Sequence, residues 1–217
     1  MIDFEAARRK MVDNQLRTGG ITDRRLLGVL GRVPRERFLS PERAGLAYID
    51  DVQPLPGAGR RHLAPVAPFA KLIQLATIAS TDRVLDLGCA TGYSAAVLAE
   101  LAAGVVAVES DADLAAAARH NLAGLSNVRV IEGPLVTAAR REGPFDVIVL
   151  EGSVDSVPEA LFAELAEGGR LVALVREGAT ASGNLFIRSG RDVAGRTDFN
   201  AALPALPGFQ RQAGFEF

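Results

Sequence analysis

From Arg83 onward the chain alternates between short apolar runs and helical stretches, and this alternation limits the available folds more than any other feature. Val84-Leu85-Asp86-Leu87 reads as a strand, and the Ala/Leu-rich residues 93–103 read as a helix. A second strand covers 105–108 and closes on Glu109, and a helix over 111–124 takes Asp111 as its cap. A third strand covers 128–131, and a fourth covers 145–150 after Gly143-Pro144. Ser156, ahead of Val157-Pro158, opens another helix that Gly168-Gly169 ends, and 171–175 is a fifth strand. Short strands separated by helices predict an α/β fold with a doubly wound, mostly parallel, Rossmann-like sheet. Residues 185–188 and 193–195 read as an antiparallel hairpin at the C-terminal end.

The first part of the chain is different. Residues 4–18 place Phe4, Ala7, Met11 and Leu16 at near-helical spacing, and Gly19-Gly20 stops that helix. Thr22 is the expected cap of a second helix, which buries Leu26, Leu27 and Leu30. Residues 40–68 then carry Pro41, Pro54, Pro56, Gly57, Gly59, Pro65 and Pro68, a long irregular stretch of the kind often used as a functional loop. The expected organisation is one domain over 1–217, with a helical and loop cap (1–80) on an α/β core (81–217). Its 217 residues, 48% of them hydrophobic, suffice for a sizeable core.

Charge and cysteine content narrow the function. A net charge of −2 offers no phosphate-driven affinity, so no nucleic-acid partner is expected. The N-terminal Arg8, Arg9, Lys10, Arg17, Arg24 and Arg25 alternate with Asp3, Glu5, Asp13 and Asp23, which reads as a solvated helical face. The single cysteine, Cys89, excludes an internal disulfide, and with only two histidines it builds no metal cluster. The start lacks the pattern of a signal peptide, and Glu100 and Gly104 break the apolar stretch over 95–108. The expectation is a cytoplasmic protein with no membrane span.

The strongest chemical signal is Asp86-Leu87-Gly88-Cys89-Ala90-Thr91-Gly92-Tyr93, with Glu109 closing the next strand. A glycine turn after the first strand lets a ligand approach the backbone, and an acid at the end of the second suits ribose hydroxyls. A dinucleotide fingerprint wants glycine at the first, third and sixth positions, where this chain has Gly88, Ala90 and Tyr93. S-adenosyl-L-methionine (SAM) needs no seat for a pyrophosphate, and its sites commonly carry an acid before the first glycine, as Asp86 does. SAM is therefore the preferred cofactor. A dinucleotide, or a cofactor-free tight turn, stays open; a bare turn explains the glycines but not the two acids.

Several further segments resemble the protein-L-isoaspartate O-methyltransferase family. They are Asn14-Gln15-Leu16-Arg17 before Gly20-Ile21, Val33-Pro34-Arg35-Glu36-Arg37-Phe38, Ala47-Tyr48 with Asp50, Leu55-Pro56-Gly57, Pro144-Phe145-Asp146-Val147-Ile148-Val149, and Pro158 before Gly168-Gly169-Arg170-Leu171-Val172. The resemblance implies SAM-dependent methylation of the free carboxylate of isoaspartyl residues, with a protein or peptide as substrate. It implies a cofactor site at Asp86, Gly88, Cys89, Ala90, Gly92, Tyr93, Glu109, Ser110, Gly133, Pro134 and Leu135. It also exposes departures. Where the family has Thr-Ile-Ser in the loop over the cofactor, this chain has Arg61-His62-Leu63, so Leu63 stands at the position of the serine that acts on the substrate carboxylate. The family's Gly-Asp-Gly is Gly133-Pro134-Leu135, and its small Thr-Ala-Ala run is Glu151-Gly152-Ser153.

These departures bear on chemistry. A carboxylate acceptor is already ionised and needs no base, so its methylation rests on positioning. Leu63 would desolvate that carboxylate without a hydrogen bond, and Glu151 would repel it if turned inward. Arg61 could compensate by binding the carboxylate bidentately. A neutral acceptor would need a base, for which Glu151 is the candidate; an exposed loop carboxylate is its plain alternative. His62 reads as an ordinary loop histidine and His120 as a surface one, and Ser153 with Asp155 lacks a nucleophile elbow. Three functions remain: an isoaspartyl methyltransferase with a rebuilt loop and weak or lost activity, a methyltransferase with another acceptor, or a non-catalytic SAM-binding or interaction protein.

Overall fold

The computed structural model describes residues 2–57, 61–178 and 180–210; Gly59 of the Pro/Gly-rich stretch lies outside them. Its centre is a seven-stranded sheet. The strands are β3 (Arg83–Leu87), β4 (Gly104–Glu109), β5 (Val128–Glu132), β6 (Phe145–Val154), β7 (Leu165–Glu177), β8 (Thr180–Ser189) and β9 (Asp192–Asn200). Their order is β5-β4-β3-β6-β7-β8-β9, parallel from β5 to β7 and antiparallel beyond. The chain runs outward from β3 through β4 to β5, then returns to β6 on the other side. The carboxyl ends of β3 and β6 therefore flank the switch point, where open α/β sheets take ligands.

Helices α4 (Tyr93–Leu101), α5 (Ala112–Asn121) and α6 (Glu159–Ala163) follow β3, β4 and β6. Asp111 caps α5 by accepting from the backbone N–H groups of Asp113 and Leu114, as its sequence position predicts. The second helix, α2 (Arg24–Leu30), is capped by Asp23 and not by Thr22: Asp23 accepts from the N–H groups of Arg25 and Leu26, and the Thr22 N–H donates to Gln74 Oε1 instead. The first helix is α only over Phe4–Met11 (α1) and continues as a π-helix over Val12–Leu16. The helix expected over 156–168 is confined to Glu159–Ala163, and β7 already begins at Leu165. The terminal hairpin is longer than its apolar residues suggest, because β9 is solvent-facing and carries no burial pattern to read.

The Pro/Gly-rich stretch contains a minimal antiparallel pair, β1 (Gln53–Pro54) with β2 (His62–Leu63). It ends in α3 (Val66–Ala76), which sequence periodicity had not separated from the loop. Pro68 stands in the first turn of α3, where a missing N–H costs no helical bond. The helix buries Phe69, Leu72, Ile73 and Ala76 in a core shared with the N-terminal helices and the sheet, and a second buried cluster fills the opposite face. No helix of the described residues is long and apolar enough to cross a membrane.

Candidate functional site

The turn after β3 is shaped by backbone conformation. Gly88 has φ +87° and Gly92 φ +97°, and Ala90, the non-glycine third position, is also left-handed at φ +52°. Ala90 is held there because its N–H donates to Glu109 Oε2 at 2.8 Å. The turn is pinned to β4 by the N–H of Gly88, which donates to the Val108 carbonyl at 2.8 Å. Asp86 is fully buried beneath it and accepts from Ser94 Oγ at 2.7 Å, while its other oxygen has no partner. Burial pushes the Asp86 carboxyl up to about 7; Glu109 adds to that shift, and the Ser94 hydroxyl and Arg61 oppose it.

Glu109 is the hub of the site. Its Oε1 accepts from the N–H groups of Ser110 (2.8 Å) and Asp111 (3.0 Å) and from Ser110 Oγ (3.3 Å). Arg61 supplies the remaining contacts: Nη1 lies 3.3 Å from Oε1, and Nη2 lies 3.0 Å from Oε2 and 2.7 Å from the Gly88 carbonyl. Both side chains are enclosed, Arg61 at 4% exposure and Glu109 at 0%. Arg61 therefore does not face the acceptor end of the site, where the sequence left it open as a bidentate partner for a carboxylate. The β1–β2 pairing directs it inward onto Glu109.

Gly133 and Pro134 follow β5 beside this hub, and the Gly133 N–H donates to the Glu109 carbonyl at 3.0 Å. The Pro134 carbonyl starts a turn by accepting from Thr137 and Ala138, and Leu135 is buried in the sheet-face cluster. On the other side of the turn a cavity of about 10 Å³, room for roughly one water, is lined by Arg35, His62, Leu63, Cys89, Tyr93 and Glu151, among others. Burial raises the Cys89 thiol well above its ordinary value, which fits packing rather than reactivity.

Glu151 points into this cavity and is not an exposed loop carboxylate. A bulge in β6 causes this. Val149 pairs with Val172 and Ser153 with Leu174, so four residues of advance on β6 face two on β7. The Glu151 Oε1 atom is sealed from solvent with no hydrogen-bond partner. Desolvation, then the nearby Asp86, raises its pKa well above the carboxylate range, so its tendency is toward the neutral acid. The like-charge repulsion expected from an inward Glu151 is weakened accordingly. His62 is buried at the cavity wall and His120 is on the surface.

Two residues of the site were not singled out as site residues in the sequence. Arg35 was legible only as part of Val33-Pro34-Arg35-Glu36-Arg37-Phe38. It is 2% exposed, donates to the carbonyls of Ala47 (2.9 Å) and Ala64 (2.5 Å), and lies 4.7 Å over the Tyr93 ring. Leu206 had no sequence signal at all. It belongs to a C-terminal strap on which Ala205 bridges Ser153, and the Leu206 N–H donates to the Ser153 carbonyl at 2.7 Å. A Cβ on Gly88 would stand 2.6 Å from Leu206 Cδ1 and 3.0 Å from Arg61 Nη2.

Glu109, held in place by the backbone N–H groups of Ser110 and Asp111, offers with the glycine turn a carboxylate suited to the ribose hydroxyls of a nucleoside. The space is not suited to one in this conformation. Arg61 and Leu206 fill the room beside Gly88 that a SAM molecule would need. Among the described residues no group of three or more potential ligands could hold a metal ion.

Comparison with known proteins gives a consistent family. The family model described as Protein-L-isoaspartate(D-aspartate) O-methyltransferase (PCMT) matches residues 6–197. The chain is 42% identical over 171 residues to the protein-L-isoaspartate O-methyltransferase of Koribacter versatilis, covering 78% of this chain and 76% of that protein. It is 42% identical over 169 residues to that of Methylorubrum populi, covering 77% and 79%. A solved protein-L-isoaspartate O-methyltransferase superposes with a TM-score of 0.81 at 26% identity, over 93% of this chain and 66% of that one. A crystal structure from Plasmodium falciparum, determined with S-adenosyl-L-homocysteine, matches at TM-score 0.78 and 18% identity, a likeness of fold. The chain belongs to the protein-L-isoaspartate O-methyltransferase family, a family of SAM-dependent methyltransferases.

Proposed function

We propose that this chain is a SAM-dependent O-methyltransferase, acting on a protein or peptide, in which carboxyl methylation of isoaspartyl residues is weak or lost. The observation that carries this reading is Leu63. It is buried at 5% exposure in the cavity wall, at the position of the family's serine, so the loop offers an isobutyl group where a substrate carboxylate wants a hydroxyl. Arg61, the side chain that could replace that hydroxyl, is engaged by Glu109. The catalytic candidates are thus Leu63 and Glu151 at one cavity, with Arg61 at the cofactor seat.

A hydrogen bond to a charged group contributes about 1.5–3 kcal/mol, so restoring it should raise turnover by roughly ten- to hundredfold. The test is a methyl-transfer assay on an isoaspartyl peptide with the wild type and Leu63→Ser. Little or no wild-type turnover and a tenfold or greater gain in the variant are expected; robust wild-type turnover overturns the reading. A second reading, a neutral hydroxyl or amine acceptor, is favoured by the unpartnered Oε1 of Glu151. A donor on the acceptor would satisfy that atom and, by hydrogen-bonding the carboxylate, draw Glu151 toward its ionised form, the form that can take the proton. Turnover of such a substrate abolished in Glu151→Gln would support it.

A further inference from the structure

We infer that the chain carries its own competitor for the cofactor seat: Arg61 and Leu206 occupy it together, and a nucleoside binds only by displacing them. The inference rests on the cofactor reading of the same seat and concerns access to it, not the acceptor.

The argument begins with acceptor capacity. A carboxylate has about four lone-pair sites. Glu109 is oversubscribed, taking the N–H groups of Ala90, Ser110 and Asp111, the Ser110 hydroxyl and two Arg61 nitrogens. The three backbone donors belong to the framework of the turn and of α5. Arg61 is the donor that can leave, and its departure frees a position on Oε2, where only the Ala90 N–H remains, and relieves the crowding on Oε1. A ribose presents two neighbouring hydroxyls, the donor fork for which the guanidinium substitutes. The third Arg61 contact, to the Gly88 carbonyl at 2.7 Å, places the cation against the turn itself. Guanidinium and diol cannot occupy the seat together.

Leu206 is an independent second occupant. It comes from the far end of the chain and reaches the seat because the strap runs along the carboxyl end of β6. Ser153 N–H donates to the Pro204 carbonyl (3.1 Å), Ser153 Oγ to the Leu203 carbonyl, and Asp155 N–H to the Phe209 carbonyl (3.3 Å). Leu206 and Phe209 are buried at 2% and 3% exposure. The strap lies beyond residue 197, where the family match ends. Arg61 stands where the resemblance puts the family's threonine. The two occupants come from distant parts of the chain and converge on one glycine.

The test is calorimetric titration with S-adenosyl-L-homocysteine of the wild type, Arg61→Ala, Arg61→Lys and Leu206→Ala, with circular dichroism melts to establish folding. Arg61→Ala should bind at least tenfold more tightly than the wild type. Arg61→Lys, which keeps the charge but loses the fork, should fall between them, and Leu206→Ala should show a smaller gain. Should Arg61→Ala fail to fold with Glu109 left buried without its cation, Arg61→Gln and Leu206→Ala carry the same comparison. Affinity unchanged or weakened in the Arg61 variants overturns the inference, since Arg61 would then be neutral or a ligand contact. Silence in every variant also overturns it, because emptying the seat would not have opened it. Failure of the isoaspartyl reading appears separately, as turnover in the Leu63 assay.

Discussion

Asp86 shows how one buried carboxyl links the site to stability. Burial lifts its pKa from 3.8 to about 7, with Glu109 adding to the shift and Ser94 and Arg61 opposing it. Between those values the folded chain retains a proton that the unfolded chain releases. Stability contributed by the neutral acid is therefore complete at low pH and falls as pH rises to about 7, beyond which the loss is constant. Asp86→Asn removes this dependence. Its melting temperature should gain on that of the wild type from about pH 4 to about pH 7, and a constant difference across that range would contradict the assignment. Gly92 is constrained differently. It has φ +97°, and a Cβ there would meet Leu122 Cδ1 at 2.8 Å. Gly92→Ala should cost roughly 1–3 kcal/mol, read as a lower urea midpoint. The role of this glycine is visible in the sequence, because the turn needs it whatever the surroundings.

Among elements, the segments that carry the family resemblance serve mainly to dock the cap. Arg35 ties its own 3-10 turn (Arg35–Phe38) to Ala47 and to Ala64 at the end of the cofactor loop. Beside it, Arg8 joins Glu36 at 3.0 Å and Tyr48 OH at 2.9 Å, and Gln15 donates to the Tyr48 carbonyl at 2.8 Å. The N-terminal charges are therefore not all a solvated face: Arg9 and Arg17 are exposed partners of Glu5 and Asp13, but Arg8 is enclosed. Arg35→Ala strands two carbonyls and empties a stacked position on Tyr93, for a loss on the order of 3 kcal/mol. Lysine should not restore it, since a point charge cannot reach both carbonyls and lie flat on a ring. Urea unfolding of the two variants checks both statements. Element existence was legible where periodicity was clean, as in β3 through α5. The short α6 and the early start of β7 were not, because Gly168, at φ +71°, reads as a stop but turns within the strand.

On the scale of the molecule, one buried cluster extends from Met11 in α1 through α3 to Leu185 on β8. We propose on that basis that residues 1–217 unfold as one unit. Scanning calorimetry should give a single transition whose calorimetric and van't Hoff enthalpies agree; two resolved transitions would separate cap from core. The same scale explains the closed seat. Arg61 and Glu109 are 48 residues apart and Ser153 and Leu203 are 50 apart, and the sheet's switch point brings all four to one edge.

The sequence alone determined the parallel sheet, the glycine turn, the acid at the end of β4 and the leucine at position 63. Each follows from local periodicity, local turn chemistry or residue identity, which the surroundings do not alter. Tertiary structure decided where the long and flexible groups point. Residues local to Arg61 in the sequence do not say whether it reaches solvent or folds inward; its inward partner, Glu109, is 48 residues away. Glu151 turns inward because β6 bulges against β7, a mismatch of register that neither strand reveals alone. Leu206 is an ordinary leucine until the strap lays it against Gly88.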